Sequence, residues 1–562
     1  MQNNKLELTW YGKDKEPVLE PRILLEDKSK SFSSESKISL TDSKKTFGNM
    51  LIHGDNLLAL KSLQKDFFGR VKCIYIDPPY NTGAIFEHYD DNLEHSTWLS
   101  LMYPRLKLLS NLLSEDGLFF CQIDDNEQAY LKILCDEIFG RSNFISTICV
   151  KMSTVSGVKT SHREKTIVKE KEMILVYSKN SEKVKIKPQY VPTNEWDKEF
   201  QYINLTNGSI DPTDWTVSLL KDALLARGIP LDPSSKEFTK FVFENKNNIW
   251  RRAFIRNDFK KISQDNPNKI FQNESEGKKH FYYRGREMFF LASKYHDCLT
   301  ENGLINCQSN LLADIWLDIN TGKLFNEGGI EFRNSKKPEF LISRILDMST
   351  NEGDLVLDSF LGSGTTAAVA QKMNRHWIGI EMGEQINTLC IPRLKNVISG
   401  KDKGGVTLAF NYEGGGGYKF YELAPTLVVN DAFGEPIINK KYSADMLASA
   451  VALHEGFTYS PDKEHFWKQS KASENSYLFV TTMHIDSPLL DKIANDMAKD
   501  EFLIIACKTF DEECSKLYKN IVIKKIPEML LGKCEFGKDD YSLNIINPPT
   551  YEDEDEDEDN EK

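Results

Sequence analysis

Between residues 50 and 185, and again between 335 and 400, short apolar runs alternate with stretches of helical periodicity. That alternation constrains the fold more than any other feature, because it implies βα units and a mainly parallel sheet. Candidate strands end at His53, Ile76, Ile123, Val150, Tyr177 and Leu357, with a seventh at 377–380. Between them, 57–67, 98–113, 126–139, 340–348 and 365–372 carry apolar residues at helical spacing. The expected core is an α/β, doubly wound, seven-stranded mainly parallel sheet. It is assembled from two parts, 46–185 and 335–400, with a 150-residue interruption between them. Residues 1–45 are polar and read as an arm. Residues 401–550 offer strands at 476–482, 501–507 and 520–526 with helices at 444–453 and 488–498, a further α/β domain.

Charge is uneven. The chain of 562 residues has a formal net charge of −13, which alone disfavours a polyanionic partner. The last twelve residues, however, carry nine acids and one lysine, an acidic tail at 551–562 expected to be disordered. Residues 151–300 carry 27 Lys and Arg against 19 acids. Two basic windows, 151–187 and 246–286, lie there. The second interleaves Trp250, Phe254, Phe259, Phe271, Phe281, Tyr282 and Tyr283, a composition suited to phosphate contact and base stacking, or simply to a solvated charged face. No apolar run reaches the ~18 residues of a membrane span, and the N-terminus has no apolar stretch of signal-peptide length. Ten cysteines without a Cys-x-x-Cys pair give no metal or disulfide framework, so a cytoplasmic chain with no metal is expected.

Two loops at strand ends carry the chemistry. Asp77-Pro78-Pro79-Tyr80 follows an apolar run, where ligands of open α/β sheets bind. The prolines stiffen the loop and lack N–H groups. The Asp77 carboxylate and the Pro78 carbonyl remain as fixed acceptors beside an aromatic ring, the groups needed to hold an exocyclic amine. A rigid turn after a buried strand is the plainer alternative. The second loop, Asp358-Ser-Phe360-Leu-Gly362-Ser363-Gly364-Thr365-Thr366, precedes a helix whose N-terminus favours anionic groups. Glu381 ends the next strand, placed to accept ribose hydroxyls. A nicotinamide cofactor is disfavoured, since the third glycine of the dinucleotide fingerprint is missing.

Together, Asp77-Pro-Pro-Tyr80 and Phe360-Leu-Gly-Ser-Gly364 resemble the motifs of S-adenosylmethionine-dependent DNA amino-methyltransferases. Their order, catalytic loop first, is that of the β class. Gly54-Asp55-Asn56, Pro104-Arg105-Leu106, Asn126-Glu127, Asp314-Ile315-Trp316, Lys336-Lys337-Pro338 and the run Gly414–Gly417 are similar to segments in modification subunits of type III restriction systems. The resemblance implies a class I, Rossmann-like methyltransferase, with 186–334 as a target-recognition insert and 401–550 as a docking or dimerisation domain. It implies that Asp77, Pro78 and Tyr80 hold and stack the target base, with Pro79 completing the loop. Asp55 would contact the cofactor adenine and Glu381 its ribose. Asp358, Phe360 and Gly362, Ser363, Gly364, Thr365 and Thr366 would hold the methionine part, with Lys337 beside it. Asp55 could instead be only a helix cap, and Lys337 solvated surface. The implied reaction is methyl transfer to adenine N6 in double-stranded DNA by a homodimer with a helicase–nuclease restriction partner. A solitary enzyme, cytosine N4 specificity and a catalytically silent DNA-recognition subunit are the alternatives.

Overall fold

The computed structural model describes residues 7–14, 18–34, 48–81, 85–86, 89–90, 95–153, 164, 167–206, 208–255, 258–275, 277–322, 327–329, 336–472 and 475–537. The acidic tail, the Asn547-Pro-Pro-Thr550 segment and most of 154–166 lie outside them. Two compact units are present: 1–185 with 317–404 and 413–562, and 186–316 with 405–412.

The first unit is built on one large sheet. Its strands are β1 (Leu24–Glu26), β2 (Asn49–His53), β3 (Val71–Ile76), β4 (Leu113–Ile123), β5 (Phe144–Lys151), β6 (Lys171–Ser178), β7 (Leu355–Asp358), β8 (His376–Glu381) and β9 (Gly417–Leu423). Their order is β1–β9–β2–β8–β7–β3–β4–β6–β5. Pairing is parallel from β9 to β4 and antiparallel at β1, β6 and β5. All seven expected strands are in it. β3 and β7 are neighbours, with Val356 opposite Cys73 and Leu357 opposite Ile74. Two loops 285 residues apart in sequence, at Asp77 and Gly362, therefore leave the same edge of adjacent parallel strands.

Helices α1 (Asn56–Phe67), α2 (His95–Leu112), α3 (Glu339–Ser349), α4 (Thr365–Lys372) and α5 (Ile391–Ile398) belong to the same unit. Leu60, Leu63 and Phe67 of α1, and Trp98, Met102, Leu106 and Leu109 of α2, bury an i, i+3, i+4 stripe in one core with Ile74, Ile76, Phe119 and Ile378. Burial of each such side chain stabilises by roughly 1.5–3 kcal/mol.

Three expectations shift. The supposed arm contributes β1, and Phe32–Ser33 also pairs with β9. Trp10 packs edge-on to Tyr103, and Lys13 donates to Glu137 at 2.9 Å. Two-residue and three-residue strands are too short to show a period, so composition alone masked them. The glycine run before β9 belongs to this sheet rather than to a separate domain: a Cβ on Gly417 would lie 2.7 Å from the Phe32 carbonyl oxygen. Finally, 317–334 does not group with the insert. Arg344 of α3 holds Asp318 through two guanidinium nitrogens, and Glu327 accepts the Glu339 N–H at 3.1 Å, which draws the described part of this segment onto α3.

The C-terminal residues form a second sheet in which Ser476–Ile485, Phe502–Phe510 and Ile521–Lys525 run parallel, with helices Ala444–His454 and Ser487–Asp496. These elements match the expected ones closely. The second unit is mainly antiparallel β, with sheets of six and three strands. Its aromatics build its own core: Trp250 and Tyr282 are buried, Phe259 stacks on Tyr282 at 4.7 Å, and Phe281 packs edge-on to Phe290. Of the aromatics expected to stack on bases, Phe254 is exposed at 66%.

Candidate functional site

The carboxyl ends of β2, β3, β7 and β8 carry the expected residues. At the end of β3, Asp77 accepts the Tyr80 hydroxyl at 2.6 Å on Oδ1, while Oδ2 lies 3.2 Å from the Lys337 ammonium. The stiff Pro78-Pro79 segment is pinned from behind: the buried Trp98 indole N–H donates to the Pro79 carbonyl at 2.8 Å. Just past the loop, Asn81 sits at φ 59° and donates to the buried Glu127 at 2.6 Å.

Three further residues complete this cluster. Glu172 on β6 accepts from the Tyr80 hydroxyl at 2.8 Å, from Lys337 at 3.0 Å and from Gln122 at 2.5 Å. Gln122, on β4, in turn accepts the Tyr75 hydroxyl at 2.6 Å. Lys337 also donates to the Tyr80 oxygen at 2.8 Å and lies 4.9 Å from the centroid of its ring. Lys337, expected beside the methionine part of the cofactor, thus bonds to the Asp77–Tyr80 loop. Burial, and then the charge of Glu172, raise the Asp77 pKa against the pull of Lys337. Burial also opposes the charge of Glu172, but Lys337 and the hydrogen bonds from Gln122 and Tyr80 hold it below the ordinary carboxylate range. Burial disfavours the Lys337 charge, and Asp77 and Glu172 more than restore it.

At the end of β7, Asp358 accepts the Phe360 N–H at 3.0 Å and the Thr366 hydroxyl at 2.6 Å. Burial pushes its pKa up to about 7, against these hydrogen bonds and with help from Asp77 and Glu381. Phe360 turns its ring into the core. Gly362 and Gly364 adopt φ 55° and 80°, a left-handed conformation that a side chain would strain, and Gly364 caps α4. Glu381, at the end of β8, reaches across to accept the Gly362 N–H at 2.7 Å and accepts Met382 N–H, Gly383 N–H and Gln385 at 2.9–3.0 Å.

The glycine loop is tied on two sides. Asp55 is the N-cap of α1, accepting Leu57 and Leu58 N–H at 2.9 and 3.1 Å, and lies 3.6 Å from the buried Arg105. Arg105 donates to Asn56 at 2.6 Å, and Asn56 to the Ser359 carbonyl at 2.7 Å. Gly54, just before Asp55, lets β9 pack close, since a Cβ there would meet the Leu423 side chain at 2.7 Å. On the other side, Arg393 of α5 donates to the Thr365 hydroxyl at 2.7 Å and the Ser363 carbonyl at 3.3 Å. Glu339 of α3 holds Arg393 at 2.8 Å and Lys372 at 2.6 Å, and Lys372 also pairs with Asp402 at 2.6 Å. Glu339, Lys372 and Arg393 are fully buried.

Sequence reading found both loops and missed Tyr75, Gln122, Glu172, Glu339, Lys372 and Arg393. Each lies in an element that carries other polar residues as well, so no local pattern marked it.

Residues 71–391 match the family model described as DNA methylase. The chain is 39% identical over 408 residues to the "Probable type III restriction-modification enzyme HindVI Mod subunit" of Haemophilus influenzae, covering 67% of this chain and 54% of that one. It is 29% identical to the "Type III restriction-modification enzyme EcoPI Mod subunit" of Escherichia phage P1, covering 68% of this chain and 64% of that one. It is also 29% identical to the "Type III restriction-modification enzyme StyLTI Mod subunit" of Salmonella typhimurium, over 61% of this chain and 52% of that one. The chain therefore spans between half and two thirds of the length of these relatives.

Proposed function

Since the chain belongs to the DNA methylase family, we propose that it transfers a methyl group from S-adenosylmethionine to the N6 amine of an adenine in double-stranded DNA. One observation carries this reading: the Asp77–Tyr80 loop and the Asp358–Thr366 loop leave adjacent parallel strands at the same edge of the sheet. On this reading, an amine acceptor and a cofactor cradle would stand side by side.

The residues fit the cofactor. Asp358 is a buried carboxyl whose pKa is pushed up to about 7 by burial, the state of an acid that a cation would complete. The N-terminus of α4 and the left-handed glycines before it present backbone to an anionic group. Asp358 and the Gly362–Thr366 loop would hold the methionine part, Glu381 the ribose, and Asp55 would stand at the adenine side. The cofactor supplies a methyl on a cationic sulfur, already activated for displacement. The protein has then to orient. Asp77 and the Pro78 carbonyl accept the two amine N–H groups and turn the nitrogen lone pair towards the methyl, an alignment worth up to roughly 7–11 kcal/mol. The target base must leave the duplex at a cost of a few kcal/mol. Stacking on Tyr80, of order 1–3 kcal/mol, offsets part of that. A carboxylate at 77 supports adenine N6 over cytosine N4. The second unit would read the target sequence, with Arg252, Lys278, Lys279 and Arg286 exposed to reach phosphates.

The three relatives are Mod subunits, which supports action as a modification subunit; a helicase–nuclease restriction partner, a homodimer and a docking or dimerisation role for the C-terminal α/β part complete the proposal. The test is transfer of radiolabelled methyl to unmethylated bulk DNA, followed by single-molecule sequencing. Label on adenine at one recurring site is the expected result. DNA binding without label would make the chain a silent recognition subunit, and label on cytosine would replace N6 by N4.

A further inference from the structure

The Tyr80 hydroxyl carries one proton and has two carboxylates within reach, Asp77 at 2.6 Å and Glu172 at 2.8 Å. It can donate to only one at a time. While it donates to Asp77, it occupies the oxygen that an incoming amine needs. Lys337 has three N–H groups and three acceptors: the Tyr80 oxygen, Glu172 and Asp77, at 2.8, 3.0 and 3.2 Å. Its donation to the Tyr80 oxygen leaves the hydroxyl proton to point at a carboxylate. Glu172 is itself held on the strand by the Tyr75–Gln122 chain, with its Oε2 as the shared acceptor.

We infer that Glu172 is a positioning residue for methyl transfer: it is the alternative seat for the Tyr80 hydroxyl proton, and so frees Asp77 to accept the target amine. This rests on the DNA methyltransferase reading above. No bond is made or broken at Glu172. The hydroxyl turns from Asp77 Oδ1 to Glu172 Oε2 as the amine arrives, and Asp77 exchanges one hydrogen-bond donor for another. Without Glu172, the Tyr80 hydroxyl would remain on Asp77, and the amine would have to displace a charge-assisted bond.

The prediction distinguishes this role from simple support of the fold, because the effect must depend on the Tyr80 hydroxyl. Single-turnover transfer of radiolabelled methyl to bulk DNA is measured for the full chain and for Glu172→Ala, Glu172→Gln, Tyr80→Phe and the two double variants. Glu172→Ala is expected to slow transfer on the order of 10–100-fold, with Glu172→Gln between it and the wild type, the range of coupling found between contacting groups. S-adenosylmethionine affinity, by calorimetry, should stay within about threefold, since Glu172 touches the other loop's partner residues nowhere. In the Tyr80→Phe background there is no hydroxyl to relocate, and Glu172→Ala should cost less than about threefold. Equal losses in both backgrounds, or a Glu172→Ala rate equal to wild type, would overturn the inference while leaving the methyltransferase reading intact. No transfer by the wild-type chain would overturn both. Should Glu172→Ala fail to fold, Glu172→Gln carries the same cycle: its loss must shrink in the Tyr80→Phe background.

Discussion

Glu339 offers the sharpest test of how the glycine loop is held. Replacing it with alanine removes the carboxylate that pairs with Arg393 at 2.8 Å and Lys372 at 2.6 Å, all three groups being fully buried. Lys372 keeps Asp402 at 2.6 Å and is not orphaned. Arg393 keeps the Thr365 hydroxyl and the Ser363 carbonyl but loses the carboxylate that neutralises it. Removing one partner of a buried pair costs about 3–5 kcal/mol. Here the lower end applies, because a second acid is in reserve. Burial, and then the charge of Glu339, push Glu327 up to about 7. Once Glu339 is gone, Glu327 can ionise and face Arg393 instead. The expected loss is therefore about 3 kcal/mol near pH 8, growing as pH falls and Glu327 is protonated again. Urea unfolding followed by the fluorescence of the buried Trp98 and Trp377 would report it. Cofactor affinity should fall as well, because Arg393 positions Thr365. The double variant Glu339→Leu, Arg393→Met removes both charges. It should recover stability to within about 1 kcal/mol of wild type, as apolar replacements of buried pairs often do, without recovering cofactor affinity. A Glu339→Ala loss below about 1 kcal/mol, or a double variant no more stable than the single one, would refute the electrostatic account.

Asp77→Ala should abolish methyl transfer while S-adenosylmethionine binding, by calorimetry, stays within about threefold; near-normal turnover would remove the amine-acceptor role. Asp358 has a folded pKa raised from 3.8 to about 7, so the unliganded protein should lose stability as pH rises through that window. A bound cation favours the ionised form, so cofactor binding should release protons below pH ~7 and tighten as pH rises to it. Calorimetry in buffers of different ionisation heat reads that release directly, and none at pH ~6 would mean that Asp358 is already charged. Trp98→Phe removes the N–H that fixes the Pro79 carbonyl; one hydrogen bond is worth about 1 kcal/mol, or about fivefold in transfer rate if felt in the transition state. Deleting 551–562, with its nine acids, should tighten nonspecific DNA binding at low salt and leave cofactor affinity unchanged; weaker DNA binding would give the tail a positive role.

Legibility in the sequence followed the range of the signal. Val71–Ile76 ending in Asp-Pro-Pro-Tyr, and Leu355–Asp358 ending in the glycine loop, are local patterns: an apolar run, then residues that stop it and face a ligand. Glu172 is visible only as one of two charges at the start of a strand whose middle is apolar. What brings it to Tyr80 is the strand order β3–β4–β6, in which β6 returns antiparallel against β4 with Ile123 opposite Met173. No local pattern states that order. The aromatics of 246–286 show the converse. Composition could not separate stacking platforms from core, and a largely antiparallel unit needs its own core, which Trp250, Ile270 and Met288 supply with Phe281 and Tyr283 packed against them. Asp55 was balanced between ligand contact and helix cap; its capping bonds at 2.9 and 3.1 Å are present, and they aim its loop at the cofactor side of the sheet.

The charges that look wasteful in a buried setting answer a problem created by the insert. The two loops lie 285 residues apart in sequence, so chain connectivity does little to fix the distance between them. Parallel pairing of β3 with β7 fixes the strands, not the loops beyond them. Lys336 and Lys337, consecutive in sequence, engage both sides: Lys337 reaches Asp77 and Glu172, and Lys336 donates to the Glu327 carbonyl beside Glu339 and Arg393. Burial, and then Arg393, push Lys336 down to about 8, so its charge is held at a cost. Apolar residues there would pack with comparable or greater stability, but they would not specify direction. Arg393 at the glycine loop and Lys337 at the Asp77–Tyr80 loop are thus joined through one dipeptide just before α3. In-line transfer needs the reacting atoms placed to within about half an ångström, and that precision is what a directional, hydrogen-bonded network can supply and an oily contact cannot.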